Sequence, residues 1–194
     1  MPIQPDPAPH AASTEAVRKH LAAEFALVVP PTLSGLSTER LASSDGYQVD
    51  FLGLDDLAAG ELTRRGRSQL WRHLLFDGDD AVAEVDLDGD GPNLQAVAIH
   101  RGPRAAGTAV GLRVAHEASG EETRTFRLVE CPALRFAAIR LDGKNGPGFV
   151  VIEPDQTGLP KNKLLSADEV NEALRELATQ AVEAFRAAQG PIGA

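Results

Sequence analysis

The sequence predicts an α+β fold, in which one antiparallel sheet is flanked by a helix near each end of the chain. Three observations lead to this class. Apolar residues recur at helical spacing near the start, short apolar alternations separated by turn residues fill the middle, and a longer helical pattern closes the chain. With 194 residues and 43% hydrophobic content, the chain is long enough to bury the core of one domain.

The first residues are rich in proline and offer almost nothing to bury. We therefore expect a flexible tail over residues 1–12, a single domain over 13–189 and a second flexible tail over 190–194. The first helix follows Ser13 or Thr14, either of which can cap it. Its apolar stripe consists of Val17, Leu21, Phe25 and Val28, and Pro30 and Pro31 end it.

The middle of the chain predicts a meander of about six to eight strands. One strand is expected near residues 47–52, and residues 68–76 fit either a helix or a strand, with the strand preferred. The remaining candidate strands are separated by segments rich in Gly, Pro, Asn and Asp, and they span 80–87, 94–101, 108–116, 123–130, 134–141 and 148–153.

Alternation along residues 81–88 predicts which side chains face the core. The apolar set, Ala81, Ala83, Val85 and Leu87, is expected to face inward. The other set, Val82, Glu84, Asp86 and Asp88, is expected to face solvent.

The segment from Ser166 to Phe185 predicts the C-terminal helix. Ser166 and Glu169 form an S-x-x-E capping box. The apolar stripe consists of Val170, Leu174, Leu177, Ala181 and Phe185.

Asp86, Asp88, Asp90 and Gly91 match the first positions of a calcium-binding EF-hand loop. The position that requires a bidentate glutamate is Val97, however, and a strand pattern follows where a helix would be needed. Asp-Gly and Pro-Asn pairs between two alternating runs instead favour the turn of a hairpin. The sequence thus predicts no metal site here.

Composition narrows the function further. A net charge of −9 disfavours binding to nucleic acid or to an anionic membrane. The chain has neither a long apolar run nor a secretory leader, so we expect a cytoplasmic protein. The one cysteine, Cys131, cannot form an internal disulfide, and we find no motif that would bind a cofactor.

Charge is unevenly distributed along the chain. Residues 101–140 carry seven arginines against four glutamates, a net charge of +3, which leaves −12 for the rest. The excess of 15 arginines over 4 lysines is typical of a G+C-rich bacterial genome, and it also suits planar contacts with anions.

Two groups of basic residues are candidate ligand- or anion-binding positions. The first group lies around a glycine and includes a tryptophan that could stack, and its members are Arg64, Arg65, Arg67, Trp71, Arg72 and His73. The second group lies at a strand end and comprises His100, Arg101 and Arg104. No nucleophile is spaced to serve His100, and we assign no catalytic residue.

The segment "RLVECPALRFAAIRLDG", residues 127–143, resembles the strand–proline–strand segment of GyrI-like small-molecule-binding domains. The resemblance implies a sheet that cradles a hydrophobic ligand. The duplicated strand–helix–strand–strand order of that family is not visible in this chain, and no binding residue is transferred.

Three functions remain open. The sequence favours a non-catalytic binding or adaptor protein, acting on a protein partner or a second copy through a charged sheet or helix surface. The second is a small-molecule-binding domain with an apolar pocket between the sheet and the C-terminal helix, near Phe126, Phe136 and Phe149. The third is an enzyme that uses His73, His100 and Asp90, which the absence of catalytic motifs disfavours.

Overall fold

The computed structural model describes residues 3–6, 11–27, 36, 40–62, 70–89 and 93–189. Within these residues the chain forms four α-helices and ten strands of one mostly antiparallel sheet, which confirms the α+β class with more strands than expected. The helices are α1 (Ala11–Leu27), α2 (Leu54–Ala58), α3 (Pro103–Ser119) and α4 (Ala167–Gln189). The strands are β1 (Ile3–Pro5), β2 (Leu41–Ser43), β3 (Tyr47–Phe51), β4 (Trp71–Asp77), β5 (Asp80–Asp88), β6 (Gln95–Arg101), β7 (Arg124–Cys131), β8 (Phe136–Asp142), β9 (Gly148–Val151) and β10 (Leu164–Ser166).

The strands follow the order β10-β9-β8-β7-β3-β4-β5-β6 across the sheet. Two short strands lie off this path, since β1 pairs with β7 and β2 pairs with β4. Both β1 and β3 run parallel to β7, and the other pairs are antiparallel. Ile3–Pro5 therefore forms a strand inside the segment that the sequence predicts as a tail.

The strand predicted over residues 108–116 is wrong, because this segment lies within α3. Pro103 begins the helix at a position where its missing N–H costs nothing. The buried residues of α3 are Ala105, Thr108, Gly111, Ala115 and Ser119, which recur at the three-to-four spacing of a helix. Most of these side chains are small, so they give little of the apolar contrast on which the prediction relied.

Helices cover both faces of the sheet. One face packs along its length against α3, through a core cluster that includes Val49, Leu128 and Ile139. The opposite face packs against α1 over β4 and β5, and against α2 and α4 over β7, β8 and β9. Both faces of the central strands are therefore buried.

This arrangement corrects the predicted exposure of β5. The β5–β6 hairpin is present, and Ala83, Val85 and Leu87 face the α1 side as expected. Ala81 and Val82 are exchanged relative to the prediction, because the pairing of β5 with β4 shifts register there, so that Ala81 packs on the α3 side and Val82 on the α1 side. Glu84 and Asp86, however, are only 1% and 5% exposed, because α3 covers the face on which they lie.

The C-terminal helix begins as predicted. The Ser166 hydroxyl accepts a hydrogen bond from the Glu169 backbone N–H at 3.2 Å, and a Glu169 carboxylate oxygen accepts one from the Ser166 backbone N–H at 2.7 Å. This reciprocal pair is a capping box. Among the helices of the described residues, none is long and apolar enough to span a bilayer.

Candidate functional site

A cluster of ionisable side chains, four of them buried, lies where the first turns of α3 cross the sheet. We call it the ionic cluster, and its members are Arg72 of β4, Glu84 and Asp86 of β5, His100 of β6, Arg104 of α3 and Glu130 of β7. Sheet order brings these strands together, since β3, β4 and β5 are neighbours and β7 adjoins β3.

Arg72 lies at the centre of the ionic cluster, with a side chain only 4% exposed. Its Nε and Nη2 donate to the two carboxylate oxygens of Asp86 at 2.6 and 3.0 Å. Its Nη1 donates to Glu130 and lies 3.5 Å from Oε2 of Glu84. Burial alone would lower the pKa of Arg72, but the hydrogen bond to Asp86 and the charges of Glu130 and Glu84 outweigh it and raise that pKa.

Two side chains of α3, those of Arg104 and Thr108, cover the ionic cluster on the side that faces away from the sheet. Arg104 donates to Glu130, and its Nε lies 3.5 Å from Oε2 of Glu84. One helical turn later, the Thr108 hydroxyl donates to Oε1 of Glu84 at 2.9 Å. Burial raises the pKa of Glu130, and the charges of Arg72 and Arg104 oppose that shift. The cluster thus fastens α3 to both β5 and β7.

His100 forms the solvent-facing edge of the cluster. Its side chain is 52% exposed, and its Nε2–H donates to Oδ2 of Asp86 at 3.1 Å. On the inner side, Tyr47 is fully buried, and its hydroxyl has no hydrogen-bond partner among the described residues. Burial, reinforced by the negative charge of Glu84, raises the pKa of Tyr47. This tyrosine is therefore neutral at physiological pH.

The chemistry that the ionic cluster supports is pairing of charges. Glu84, Asp86 and Glu130 each face an arginine, so none of the three is an unpaired base. Within the described ranges, no group of three or more His, Cys, Asp or Glu side chains is arranged to hold a metal ion. The calcium alternative fails on the same geometry, because both carboxylate oxygens of Asp86 bind Arg72. Asp90 lies outside the described residues.

The structure brings Arg72 of the first basic group together with residues of the second group. His100 and Arg104 both join the ionic cluster, and Arg101 is exposed at the end of β6. Trp71 packs on the opposite face of the sheet, in the core cluster beneath α1. Arg64, Arg65 and Arg67 lie outside the described residues.

The excess of arginine over residues 101–140 is largely neutralised by carboxylates. Among the described residues, the ion pairs of these arginines include Arg104 with Glu84 and Glu130, Arg124 with Glu122, Arg127 with Asp6 and Asp50, and Arg140 with Asp142. Several partners come from outside the window. The net positive charge of residues 101–140 therefore does not produce one continuous basic surface.

A second candidate site is a hollow of about 430 Å³ between α2 and the last turns of α4. It is lined by Leu54, Asp55, Val182, Phe185 and Arg186. The Phe185 side chain is 64% exposed, although the sequence predicts it at the end of a buried stripe. Val170, Leu174 and Ala178 are buried, whereas the described α4 side chains after Ala178 are exposed or half-buried.

His73 lies on the α1 face of the sheet, opposite to the face of His100, and is completely buried. Its Nδ1–H donates to the Ser44 carbonyl at 2.8 Å, and burial lowers its pKa. Burial therefore favours the neutral form of His73 in the folded state, whereas in the unfolded chain it binds a proton below about pH 6.5. We expect this residue to make the folded state less stable as pH falls through that value, by up to about 1.4 kcal/mol per pH unit.

Urea unfolding at a series of pH values between 7.5 and 5.5 measures this effect. His73→Gln should unfold more easily at the upper pH and should lose less stability on acidification than the unmodified protein. The exposed His116 of α3 provides the matched control, since His116→Gln changes a surface histidine and leaves buried His73 in place. An identical pH slope in the protein and in His73→Gln would contradict the assignment.

Comparisons of this chain with protein families, with curated protein sequences and with solved structures find no match. Its function is therefore argued from the geometry of its own residues.

Proposed function

We propose that this chain is a non-catalytic binding protein that docks a basic amphipathic segment of a partner protein onto the hollow between α2 and α4. The observation that carries the proposal is the exposure of Phe185 at the rim of this hollow. Aromatic side chains are enriched among residues that dominate binding energy, and a large exposed apolar group beside a hollow is typical of a docking site.

The surroundings of Phe185 support docking rather than internal packing. Thr179 and the described α4 side chains that follow it are exposed or half-buried, so the last turns of α4 present a surface. Leu54 and Val182 provide an apolar floor beside Phe185. A hollow of about 430 Å³ can accept one large apolar side chain of a partner, with room for the groups around it.

Charge identifies the kind of partner. The exposed acids of α4 outnumber its exposed arginines, and they are Asp168, Glu169, Glu172, Glu176 and Glu183 against Arg175 and Arg186. α2 adds Asp55 at the hollow itself. Complementary charge accelerates association and selects among partners, so a segment rich in Lys or Arg is favoured. A second copy would bring two acidic surfaces together, which disfavours self-association here.

The two other functions receive less support. Between the sheet and α4, the interior is filled by buried side chains such as Phe149, Val170 and Leu174, where a ligand pocket was expected. The enzyme hypothesis required His73 and His100 to share a site, and they lie on opposite faces of the sheet.

The test is fluorescence anisotropy with a labelled amphipathic helical peptide, in which Leu occupies one face of the helix and Lys the other. Phe185→Ala should weaken its binding about tenfold or more, as loss of an aromatic anchor does. Since Phe185 is exposed, the same change should alter the free energy of unfolding by less than about 0.5 kcal/mol.

Val97 of β6 offers a matched control, because it is 59% exposed and lies outside the hollow. Val97→Ala should leave peptide binding unchanged. A peptide with Glu in place of Lys should bind at least about tenfold more weakly. Equal loss of binding in the two variants, or equal binding of the two peptides, would overturn the proposal.

A further inference from the structure

A cleft of about 300 Å³ lies beneath α3, near the start of the chain. Its apolar lining comes from three strands and the helix, and consists of Ile3, Pro5, Tyr47, Leu112 and Phe126. Its polar rim consists of Ser44, Asp45, Arg113 and His116. This combination of an apolar interior and a few polar groups is typical of small-ligand sites, and the volume is at their lower end.

Two aromatic rings form the rigid part of the cleft. Tyr47 and Phe126 are both buried, and their ring centroids lie 5.9 Å apart with the planes tilted by 47°. Tyr47 is held by its place in β3 beside Arg72 of β4, and Phe126 by its place in β7 beside β8. Both rings are packed in place before a ligand binds, and this preorganisation reduces the cost of binding.

The rim of the cleft carries one arginine, Arg113, one histidine, His116, and one carboxylate, Asp45. Arg113 and His116 are three residues apart in α3, so they project from one side of the helix, and both are exposed. Neither forms an ion pair with another described residue, whereas Arg104 of the same helix is occupied by Glu130 and Glu84. Arg113 is thus able to receive a planar anion such as a carboxylate through paired hydrogen bonds.

We propose that this cleft binds a small monocarboxylate whose apolar body is about the size of a phenyl group. The body would pack on Tyr47, Phe126 and Leu112, and the carboxylate would bind Arg113 with His116 beside it. The inference does not rest on the docking surface of α2 and α4, since the cleft lies on the opposite face of the sheet. It places the apolar pocket beneath α3, and not beneath the C-terminal helix where the sequence suggested it.

The experiment compares three probes that share one apolar body: 3-phenylpropionate, 3-phenylpropan-1-ol and 3-phenylpropylamine. Amide NMR titration of the full chain measures the affinity for each and locates the residues that respond. We expect 3-phenylpropionate to bind most tightly, with shifts at Tyr47, Leu112, Arg113 and Phe126. Arg113→Gln should weaken 3-phenylpropionate about tenfold and leave the alcohol unchanged, because only the charged contact is lost.

Two further variants test whether the probes bind in this cleft or elsewhere on the protein. Arg175→Gln changes an exposed arginine of α4 and should leave all three affinities unchanged. Leu112→Trp fills the cleft and should abolish binding of every probe. The proposal is overturned if the carboxylate and the alcohol bind equally, if the amine binds most tightly through Asp45, if Leu112→Trp binds normally, or if no probe shifts these amides.

Discussion

Arg72→Ala is expected to lower the free energy of unfolding at pH 7 by about 3–5 kcal/mol, the usual cost of removing one partner from a buried ion pair. The change would remove both arginine hydrogen bonds from buried Asp86, leaving it the bond from His100, and would leave Arg104 as the arginine that pairs with Glu84 and Glu130. Three carboxylates would then repel one another in a poorly solvated space. Urea unfolding followed by circular dichroism measures the loss.

The physical cause can be separated from loss of packing by a second pair of variants. Arg72→Met retains much of the side-chain volume but leaves the Asp86 carboxylate without its arginine. The double variant Arg72→Met/Asp86→Leu also removes that carboxylate. The double variant should be more stable than Arg72→Met alone, because an apolar pair avoids the uncompensated charge. Arg175→Ala, at an exposed position, should cost less than about 1 kcal/mol. Equal losses for Arg72→Ala and Arg175→Ala would contradict the role given to the ionic cluster.

The parts of the fold that the sequence predicts well are those with local signals. The capping box at Ser166 and the stripe from Val170 onward define α4 without knowledge of its partners. Likewise, alternation and turn residues define the β5–β6 hairpin. These signals depend on residues within one turn or one strand of each other.

Two of the errors, the strand predicted over residues 108–116 and the solvent exposure predicted for Glu84 and Asp86, have one common cause, which is the unrecognised helix α3. Alternation along β5 shows that Glu84 and Asp86 share a face, but it cannot show what covers that face. With α3 read as a strand, nothing remained to bury these acids, and solvent exposure followed. A helical reading of Pro103 and the residues after it would have placed a cover over β5.

The ionic cluster could be predicted only in part, because its members are far apart in the chain. His100 and Arg104 are recognisable as a basic corner at a strand end. The acidic residues of the cluster lie far from the arginines that they pair with. Glu130, for example, is 58 residues from Arg72. The parallel pairing of β3 with β7 places Glu130 there, and no local pattern encodes that pairing.

Gly107→Ala is expected to destabilise the protein by at least about 2–3 kcal/mol, the upper range for forcing an extra methyl group into a packed site. A Cβ at this position would lie 1.9 Å from the backbone oxygen of Glu153. Backbone cannot rotate away as a flexible side chain can, so α3 would have to lift from the sheet. That movement would also pull Arg104 and Thr108 away from Glu84. Thermal and urea unfolding measure the change.

The direction of this change in stability tests how closely α3 packs against the backbone of Glu153. In an exposed helix, replacing glycine by alanine stabilises by about 1 kcal/mol, so propensity alone predicts the opposite result. The neighbouring Ala106 is exposed, and Ala106→Gly should cost only that propensity difference. Gly111→Ala would meet the Ile152 side chain at 2.4 Å, a longer approach than that of Gly107→Ala and to a side chain instead of the backbone, and should cost less than Gly107→Ala. A gain in stability for Gly107→Ala would mean that α3 does not approach Glu153 this closely, and the burial of the ionic cluster beneath it would then have no support.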